Sequence, residues 1–380
     1  MYGIFSKIAS RVCSDTKYFV FLQEAIYRHM AQQLTIKQIA TLAGVSAGTV
    51  DRVLHNRGKV SEEALAAVQA VLKDQSYRYN LHSSAIAFKK TGKVWNIVIT
   101  IPFSKKGEYW DLIKSGIDQA RAEYGDFSLK IEYVFFDQFN SNSCRETFEK
   151  IKKMDCSAVI IGTTFVEETQ NLCKGLDKKG IPYFFVDGKV TDTKPKAVFM
   201  ANQTACGRLL ARLMDGFVAD DAEIAVLLPK RIGTQLSNNS AIRLASFRNY
   251  FKEKSRDSAV KEFSFSADNE KKAGEEISAF LKENPAVKGI AVVISTAYLI
   301  SGAVEKSGFK GICVGGFDAT EGNSRCIREG SLDFIINQHP DKQGFNAVEA
   351  TLHYLLYGTT DSSADELMPI DIVFKENLIP

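Results

Sequence analysis

Residues 34–57 read LTIKQIATLAGVSAGTVDRVLHNR, and this stretch decides the fold of the amino-terminal part of the chain. Apolar residues at helical spacing predict a short helix that begins at Ile36, and Gly44 supplies the sharp turn after it. Ser46 then caps a second helix whose inward face includes Val50. The outer face of this second helix carries short and polar side chains, which is typical of a helix that enters the DNA major groove. A plain three-helix core has the same apolar spacing, but this turn followed by Thr-Val-x-Arg-Val favours DNA binding.

A third helix completes the unit. Ser61 caps it, Glu62 and Glu63 suit the positive end of its dipole, and the apolar stripe continues to about Gln75. We therefore predict an all-α helix-turn-helix headpiece over residues 34–78.

The candidate DNA contacts fall into two groups. Arg52 is the best candidate for reading a base, because arginine pairs well with guanine. Lys37, Arg57 and Lys59 are expected to bind phosphates and to carry no sequence information. The other residues that we expect at or near the DNA are Ser46, Ala47, Gly48, Thr49 and His55.

The strings TIKQIATLAGVSAGTVDRVL and GKVSEE resemble the headpiece of the LacI/GalR family of bacterial transcription regulators. The likeness extends over nearly everything after residue 33, since the rest of the chain resembles that family's effector domain. This domain shares the fold of ribose-type periplasmic binding proteins. The resemblance implies a regulator whose operator affinity is controlled by a small ligand.

The same resemblance implies a hinge over residues 79–92. In the family this segment is a helix that orders on the operator and inserts an aliphatic side chain into the minor groove. The matching residue is Ile86, with Ser83 one turn earlier and Lys89 beside it for phosphates. A plain linker is the alternative, because Tyr79 stands where a proline is usual in the family.

Charge is distributed unevenly along the 380 residues, although the net charge is only +3. Residues 1–90 contain 12 Lys and Arg against 6 Asp and Glu, which leaves 36 against 39 for the remainder. A basic module on a mildly acidic body is expected to contact phosphates at one end only. The seven cysteines are scattered without a C-x-x-C pair, which argues against a disulfide framework or a zinc site and suits a cytoplasmic protein.

The first 33 residues form an amino-terminal extension with a short, interrupted apolar run. Two interpretations stay open: an extra amphipathic helix, or a start that is mis-assigned, with translation beginning at Met30. No stretch is long and apolar enough to span a bilayer, so no membrane partner is expected.

From residue 93 to residue 380, patterns typical of buried strands alternate with patterns typical of helices, and this alternating series occurs twice. This rhythm predicts an α/β effector domain of two doubly wound parallel-sheet lobes. A helix is not predicted between the strand candidates 311–314 and 333–337.

Open parallel sheets bind ligands beyond the carboxyl ends of their strands, so we looked at the residues that follow each strand. The set suits a polyhydroxylated ligand, because aromatic faces cover sugar C–H groups while charged and amide groups bind hydroxyls. The candidates are Tyr109, Trp110, Asp187, Arg243, Asp318 and Gln338. The family resemblance implies sugar contacts at the same positions. Thr296 falls where that superfamily has an Asn or Asp, which puts the identity of the sugar in doubt.

We therefore predict a homodimeric DNA-binding regulator whose effector, a sugar or sugar derivative, closes the cleft and changes the hinge spacing. The alternatives are a periplasmic-type sugar-binding receptor and, less favoured, an enzyme that acts on a sugar. No cofactor, metal site or catalytic residue is expected, because dinucleotide, phosphate-loop and nucleophile-elbow motifs are absent from the sequence.

Overall fold

A computed structural model describes residues 36–54, 58–74, 93–125, 127–233, 237–360 and 365–378. The chain divides into two compact units, Met1–Asn80 and Leu81–Pro380. The predicted extension 1–33 and the predicted hinge 79–92 lie outside the described residues.

The amino-terminal unit contains three helices, α1 (Ile36–Ala43), α2 (Ala47–Leu54) and α3 (Glu62–Asp74). Gly44 turns the chain with a φ of 66°, as the sequence predicts. Ser46 and Ser61 cap α2 and α3, because their hydroxyls accept the main-chain N–H of the residue three positions on. A small core of Ile39, Ala40, Val50 and Val68 holds the three helices together.

Apolar runs form the strands of the larger unit, and the strands in the interior of each sheet are buried over most of their length, as expected for sheets covered on both faces. The strands are β1 (Trp95–Pro102), β2 (Leu129–Phe136), β3 (Ala158–Gly162), β4 (Tyr183–Val186), β5 (Val198–Met200), β6 (Glu223–Pro229), β7 (Val260–Phe265), β8 (Val287–Val292), β9 (Cys313–Phe317), β10 (Phe334–Asn337), β11 (Asp365–Leu367) and β12 (Asp371–Val373).

These strands form two six-stranded sheets, one in each lobe. The first has the order β11-β5-β4-β3-β1-β2, and the second has the order β12-β10-β9-β8-β6-β7. Neighbouring strands are parallel throughout, except that β12 runs antiparallel to β10. The chain passes between the sheets after β5, after β10 and after β11, so three connections join the lobes.

Helices cover the faces of both sheets, and apolar residues on their inner sides fill the space against the strands. They are α4 (Tyr109–Glu123), α5 (Ser141–Ile151), α6 (Val166–Lys179), α7 (Gln203–Phe217), α8 (Asn238–Glu253), α9 (Glu270–Glu283), α10 (Ala297–Lys306), α11 (Glu321–Glu329) and α12 (Pro340–Tyr357). Although α12 follows a strand of the second lobe, it packs on α4 of the first lobe. The approach is so close that a Cβ on Gly344 would lie 2.1 Å from the carbonyl oxygen of Ile113.

The sequence-based element assignment needs three corrections. Helix α11 and the edge strands β11 and β12 were not predicted. Strand β9 lies further along the chain than the predicted 311–314. It includes Gly315 and Gly316, and a sequence pattern with two consecutive glycines argues against a strand. These glycines are needed because an added Cβ would meet Phe334 at 2.3 Å in the first case and Ala297 at 2.5 Å in the second.

Within the described ranges, no helix is long and apolar enough to cross a membrane. The six cysteines in these ranges are free thiols, and five of them are buried.

Candidate functional site

Two aspartates stand directly after strands at the ligand edge of the sheets. Asp187 follows β4 with a φ of 78°, and Asp318 follows β9 with a φ of 66°. Positive φ is uncommon outside glycine, and such backbone persists only where its surroundings hold it. The main-chain N–H of Asp187 donates to Phe199 O at 3.0 Å and also contacts Gln343 Oε1 at 3.0 Å. The fold therefore fixes these carboxylates in place.

A hydrogen-bonded network connects five of the predicted ligand residues, and Gln203 Nε2 joins its two parts by donating to Asp187 O and Gln338 Oε1. The Tyr109 hydroxyl donates to Asp187 Oδ1 at 2.6 Å. Arg243 Nη2 donates to Gln338 Oε1 at 2.6 Å, and Gln338 Nε2 donates to both carboxylate oxygens of Asp318 at 3.0 Å. Residues from α4, α8 and three strand ends thus meet at one place, and their hydrogen bonds fix the positions of these polar groups.

Arg243 is buried, with 4% of its surface exposed, and does not take up the surface pairing that is the commoner fate of an arginine. Its Nε donates to Gln203 Oε1 and its Nη1 to Val293 O, each at 2.7 Å. Its guanidinium lies 3.9 Å from the ring centroid of Phe317. These contacts lock the rotamer and aim the positive charge at the two buried aspartates.

Tyr109 and Trp110 open α4 as an aromatic pair, with their rings edge to face at a centroid distance of 5.2 Å. Trp110 Nε1 donates to Gln138 Oε1 at 3.2 Å. A Cβ on Gly162, at the end of β3, would come within 2.8 Å of the indole, so this glycine makes room for the ring. Both aromatic side chains are buried, and both line the cleft described next.

A cleft of about 590 Å³ lies between the two lobes. Six of the seven predicted ligand residues line it: Tyr109, Trp110, Asp187, Arg243, Thr296 and Gln338. Asp318 differs, because it is fully buried behind the wall. It accepts hydrogen bonds from Gln338 and from the Ser295 hydroxyl, the latter at 2.6 Å, and both partners line the cleft. Asp318 therefore lies behind the residues that line the cleft and does not line the cleft itself.

Burial changes the ionisation of these groups. Loss of solvent raises the pKa of Asp187 to about 6, although the Tyr109 hydrogen bond and the charge of Arg243 act in the opposite direction. Burial likewise raises the pKa of Asp318, against the charge of Arg243 and the hydrogen bonds from Ser295 and Gln338. Carboxylates with a raised pKa at or beside a cleft are common at functional sites, which makes this cleft the candidate site.

The candidate DNA-binding residues within the described ranges lie on the surface of the small unit. Lys37, Ser46, Ala47, Gly48, Arg52 and Lys59 are exposed, and Thr49 is half-buried. On the opposite side of α2, Val50 is fully buried, so the core fixes which face of the helix is presented. His55, Arg57, Ser83, Ile86 and Lys89 lie outside the described residues.

Family comparisons match the two parts of the chain separately. The periplasmic binding protein domain matches residues 97–359, and the family of bacterial regulatory proteins, lacI family, matches residues 35–80. The first match covers more than half of the chain, so the chain belongs to the family of the periplasmic binding protein domain, and residues 35–80 carry a lacI-family domain. The predicted family and the predicted fold class are thereby confirmed.

Individual relatives of this chain agree with the two matches. The HTH-type transcriptional regulator GalR of Escherichia coli is 29% identical over 134 residues, which are 35% of this chain and 37% of GalR. The ribose operon repressor of Lactococcus lactis is 27% identical over 221 residues, 58% of this chain and 60% of the repressor. The matched part thus spans between about a third and three fifths of these relatives.

Among solved structures, a putative LacI transcriptional regulator from Bacteroides fragilis superposes with a TM-score of 0.71. Its sequence is 27% identical, and the match covers 75% of this chain and 98% of that one. The two-lobed unit therefore shares the fold of that structure.

The sequence analysis missed several polar residues that line the effector cleft. Asn239 Oδ1, Thr164 Oγ1 and Arg231 Nε are buried atoms without a hydrogen-bond partner among the described residues, as is Oγ1 of the predicted Thr296. Such atoms are costly unless a ligand or water satisfies them. Asn239 was detectable, since it lies four residues before Arg243 and so on the same side of α8.

Acidic groups outnumber basic groups around the cleft. The charged residues that line it, within the described ranges, are Glu108, Asp137, Asp187, Asp268 and Glu270 against Lys105, Arg231 and Arg243. An excess of carboxylates repels an anionic ligand and accepts hydrogen bonds from hydroxyl groups.

Main-chain hydrogen bonds join the two lobes across the cleft. Ile232 N donates to Phe139 O at 2.7 Å, and Ser141 N donates to Ile232 O at 3.2 Å. Elsewhere on the rim, Glu321 N donates to Gly107 O at 2.9 Å. The described conformation is therefore one in which the lobes are closed against each other.

Proposed function

We propose that this chain is a cytoplasmic, sequence-specific transcription regulator whose operator affinity is set by an uncharged sugar or sugar derivative bound between the lobes. One observation carries the proposal: a lacI-type helix-turn-helix unit and a closed cleft with buried carboxylates occur in one chain. The names of relatives support it, since GalR is a transcriptional regulator and another relative is a ribose operon repressor.

The chemistry of the cleft supports a polyhydroxylated ligand. Tyr109 and Trp110 offer aromatic surface for C–H groups, and Asp187 offers a carboxylate oxygen that can accept from a hydroxyl. Asn239 Oδ1 and Thr296 Oγ1 add two further acceptors that have no partner in the described structure. The excess of carboxylates disfavours a sugar phosphate.

On the DNA side, α2 is proposed to enter the major groove. Arg52 would contact a base edge, and Lys37 and Lys59 would bind phosphates. Two copies of the chain, paired through their effector domains, would place two headpieces on a near-palindromic operator. A ligand that prefers one arrangement of the lobes would then change operator affinity through the hinge.

The rival proposal, a sugar-binding receptor, accounts for the cleft alone. The lacI-family match over residues 35–80 has no place in it, and the residues on the outer face of α2 would then have no role. For this reason we favour the regulator.

The test is a fluorescence-anisotropy titration of the full chain with labelled genomic fragments, over a range of salt concentrations, with and without sugars. We expect a salt-sensitive preference for particular fragments, and a change in that preference when one sugar is added. Uniform binding to every fragment, unaltered by any sugar, contradicts the proposal.

A further inference from the structure

The effector cleft has an inner part and an outer part that differ in exposure and composition. The inner part is lined by buried residues such as Trp110, Asp187 and Arg243. The outer part is lined by Phe103 and Phe135, which are 65% and 39% exposed. The outer part therefore offers aromatic surface that the protein itself leaves uncovered.

Phe103 and Phe135 form a defined aromatic corner at the carboxyl ends of β1 and β2. Their rings meet edge to face at a centroid distance of 6.2 Å, and Phe103 N donates to Phe136 O at 2.8 Å. Behind Phe135, the ring of Tyr133 stacks at 5.7 Å. Exposed apolar surface of this kind at the mouth of a cavity marks an interaction site.

The volume of the cleft exceeds the needs of one sugar ring. A hexose has about twelve non-hydrogen atoms, and at no more than the ~30 Å³ of a liquid water molecule for each, it fills at most roughly 360 Å³. The cleft measures about 590 Å³. The remaining space is a substantial fraction of a second ring, and Phe103 and Phe135 of the aromatic corner are among the residues that line the cleft.

Polar groups accompany the aromatic corner. Lys105, Asp137 and Asp268 are exposed and line the same cleft, and Arg231 Nε is buried there without a partner among the described residues. The Arg231 guanidinium lies 4.4 Å from the ring centroid of Phe165, which holds it in place. Aromatic faces with hydrogen-bonding groups around them are what a sugar ring requires.

We propose that the outer part of the cleft is a second sugar subsite, so that the effector is a disaccharide or a longer glycoside. One unit occupies the inner part, and the next unit stacks against Phe103 and Phe135. This inference rests on the proposed function, because it concerns the ligand of the same cleft.

The experiment is isothermal titration calorimetry of the full chain with D-glucose, D-galactose and D-xylose, and with cellobiose, lactose, maltose and xylobiose. We expect at least one disaccharide to bind about tenfold or more tightly than its constituent monosaccharides. Phe103→Ala should remove most of that advantage and leave monosaccharide binding unchanged. Phe217→Ala is the matched control, since Phe217 is 53% exposed but does not line the cleft, and it should alter neither affinity.

Three results overturn the subsite. Monosaccharides that bind as tightly as every disaccharide containing them would show that the outer part adds nothing. Equal weakening of both ligand classes by Phe103→Ala would show a general structural effect. A variant that dissociates from dimer to monomer in sedimentation velocity, with disaccharide affinity intact, would assign the corner to a second copy of the chain. In each case a monosaccharide that still alters operator binding leaves the proposed function standing, whereas the absence of binding by every sugar removes both.

Discussion

The two units of the molecule present their candidate binding residues in opposite ways. In the headpiece, Arg52 and Lys59 are exposed and project from a helix that a four-residue core fixes in position. In the effector domain, Asp187, Arg243 and Gln338 are buried and are hydrogen-bonded into one network. DNA is a large, charged partner that a surface can meet, whereas a small ligand must be enclosed and matched group by group.

This difference predicts that substitutions in the cleft act strongly and together, while substitutions on α2 act weakly and separately. Contacts within one network are not additive, whereas distant contacts are.

The largest effect is expected for Asp318→Asn. The carboxylate accepts from Ser295 and from Gln338 with both of its oxygens, whereas asparagine keeps one accepting oxygen and places an NH2 donor where the other oxygen accepts. The effector-induced rise in melting temperature should be lost, with a fall in affinity of about 3 kcal/mol or more, roughly 100-fold. Operator binding measured by fluorescence anisotropy should persist. Asp221→Asn, at an exposed position that does not line the cleft, is the control and should respond normally; a normal response by Asp318→Asn would remove Asp318 from the site.

A second prediction concerns Asp187→Asn and stability. Burial raises the pKa of Asp187 from 3.8 to about 6. Above pH 6 the side chain is ionised in both states, and because the ionised form is less stable in the folded protein than in the unfolded chain, it lowers the free energy of unfolding. The variant should gain stability at pH 7.5, up to about 3 kcal/mol in the free energy of unfolding. The gain should shrink as the pH falls from 6 towards 4, because wild-type Asp187 then becomes protonated. Denaturant titrations at pH 7.5 and pH 4.5 test this, and a variant that is less stable at pH 7.5 refutes it.

A smaller effect is expected on α2. Arg52→Ala should lower operator affinity by about 1–3 kcal/mol and relax the preference at one half-site position. Lys59→Ala should instead weaken binding to all sequences equally. It should also reduce the slope of log affinity against log salt concentration by about one. Anisotropy titrations against a panel of mutated operators separate the two, and unchanged preference with Arg52→Ala would exclude a base contact.

The smallest effect on affinity is expected at Ile86, in the predicted hinge. Ile86→Ala should reduce operator bending, and because the unstacking cost also falls, the net loss should be about 1 kcal/mol or less. Gel-shift phasing measures the bend angle. An unaltered angle would favour a plain linker over a hinge helix.

The sequence was sufficient for the headpiece and for most of the cleft, for one physical reason. Helix caps and parallel strands impose local patterns, and the residues after strand ends must meet at one edge of a sheet. It was insufficient where the decisive contact comes from elsewhere in the chain. Gly316 is needed in its strand because Ala297 packs against it. Asp318 lies behind the residues that line the cleft because Gln338 and Ser295, which do line it, donate hydrogen bonds to its carboxylate. Thr164 gave no signal, since an isolated threonine has no pattern.

The main-chain bonds of Ile232 across the cleft have a consequence for timing. An effector enclosed by the lobes leaves only after these two bonds break, and each contributes roughly 0.5–1.5 kcal/mol. Together they slow escape by about five- to 160-fold, mainly through the dissociation rate. Because backbone atoms make them, this residence time is largely insensitive to the side chain at position 232. The duration of a transcriptional response would then depend on how often the two lobes separate, in addition to the affinity of the cleft residues for the sugar.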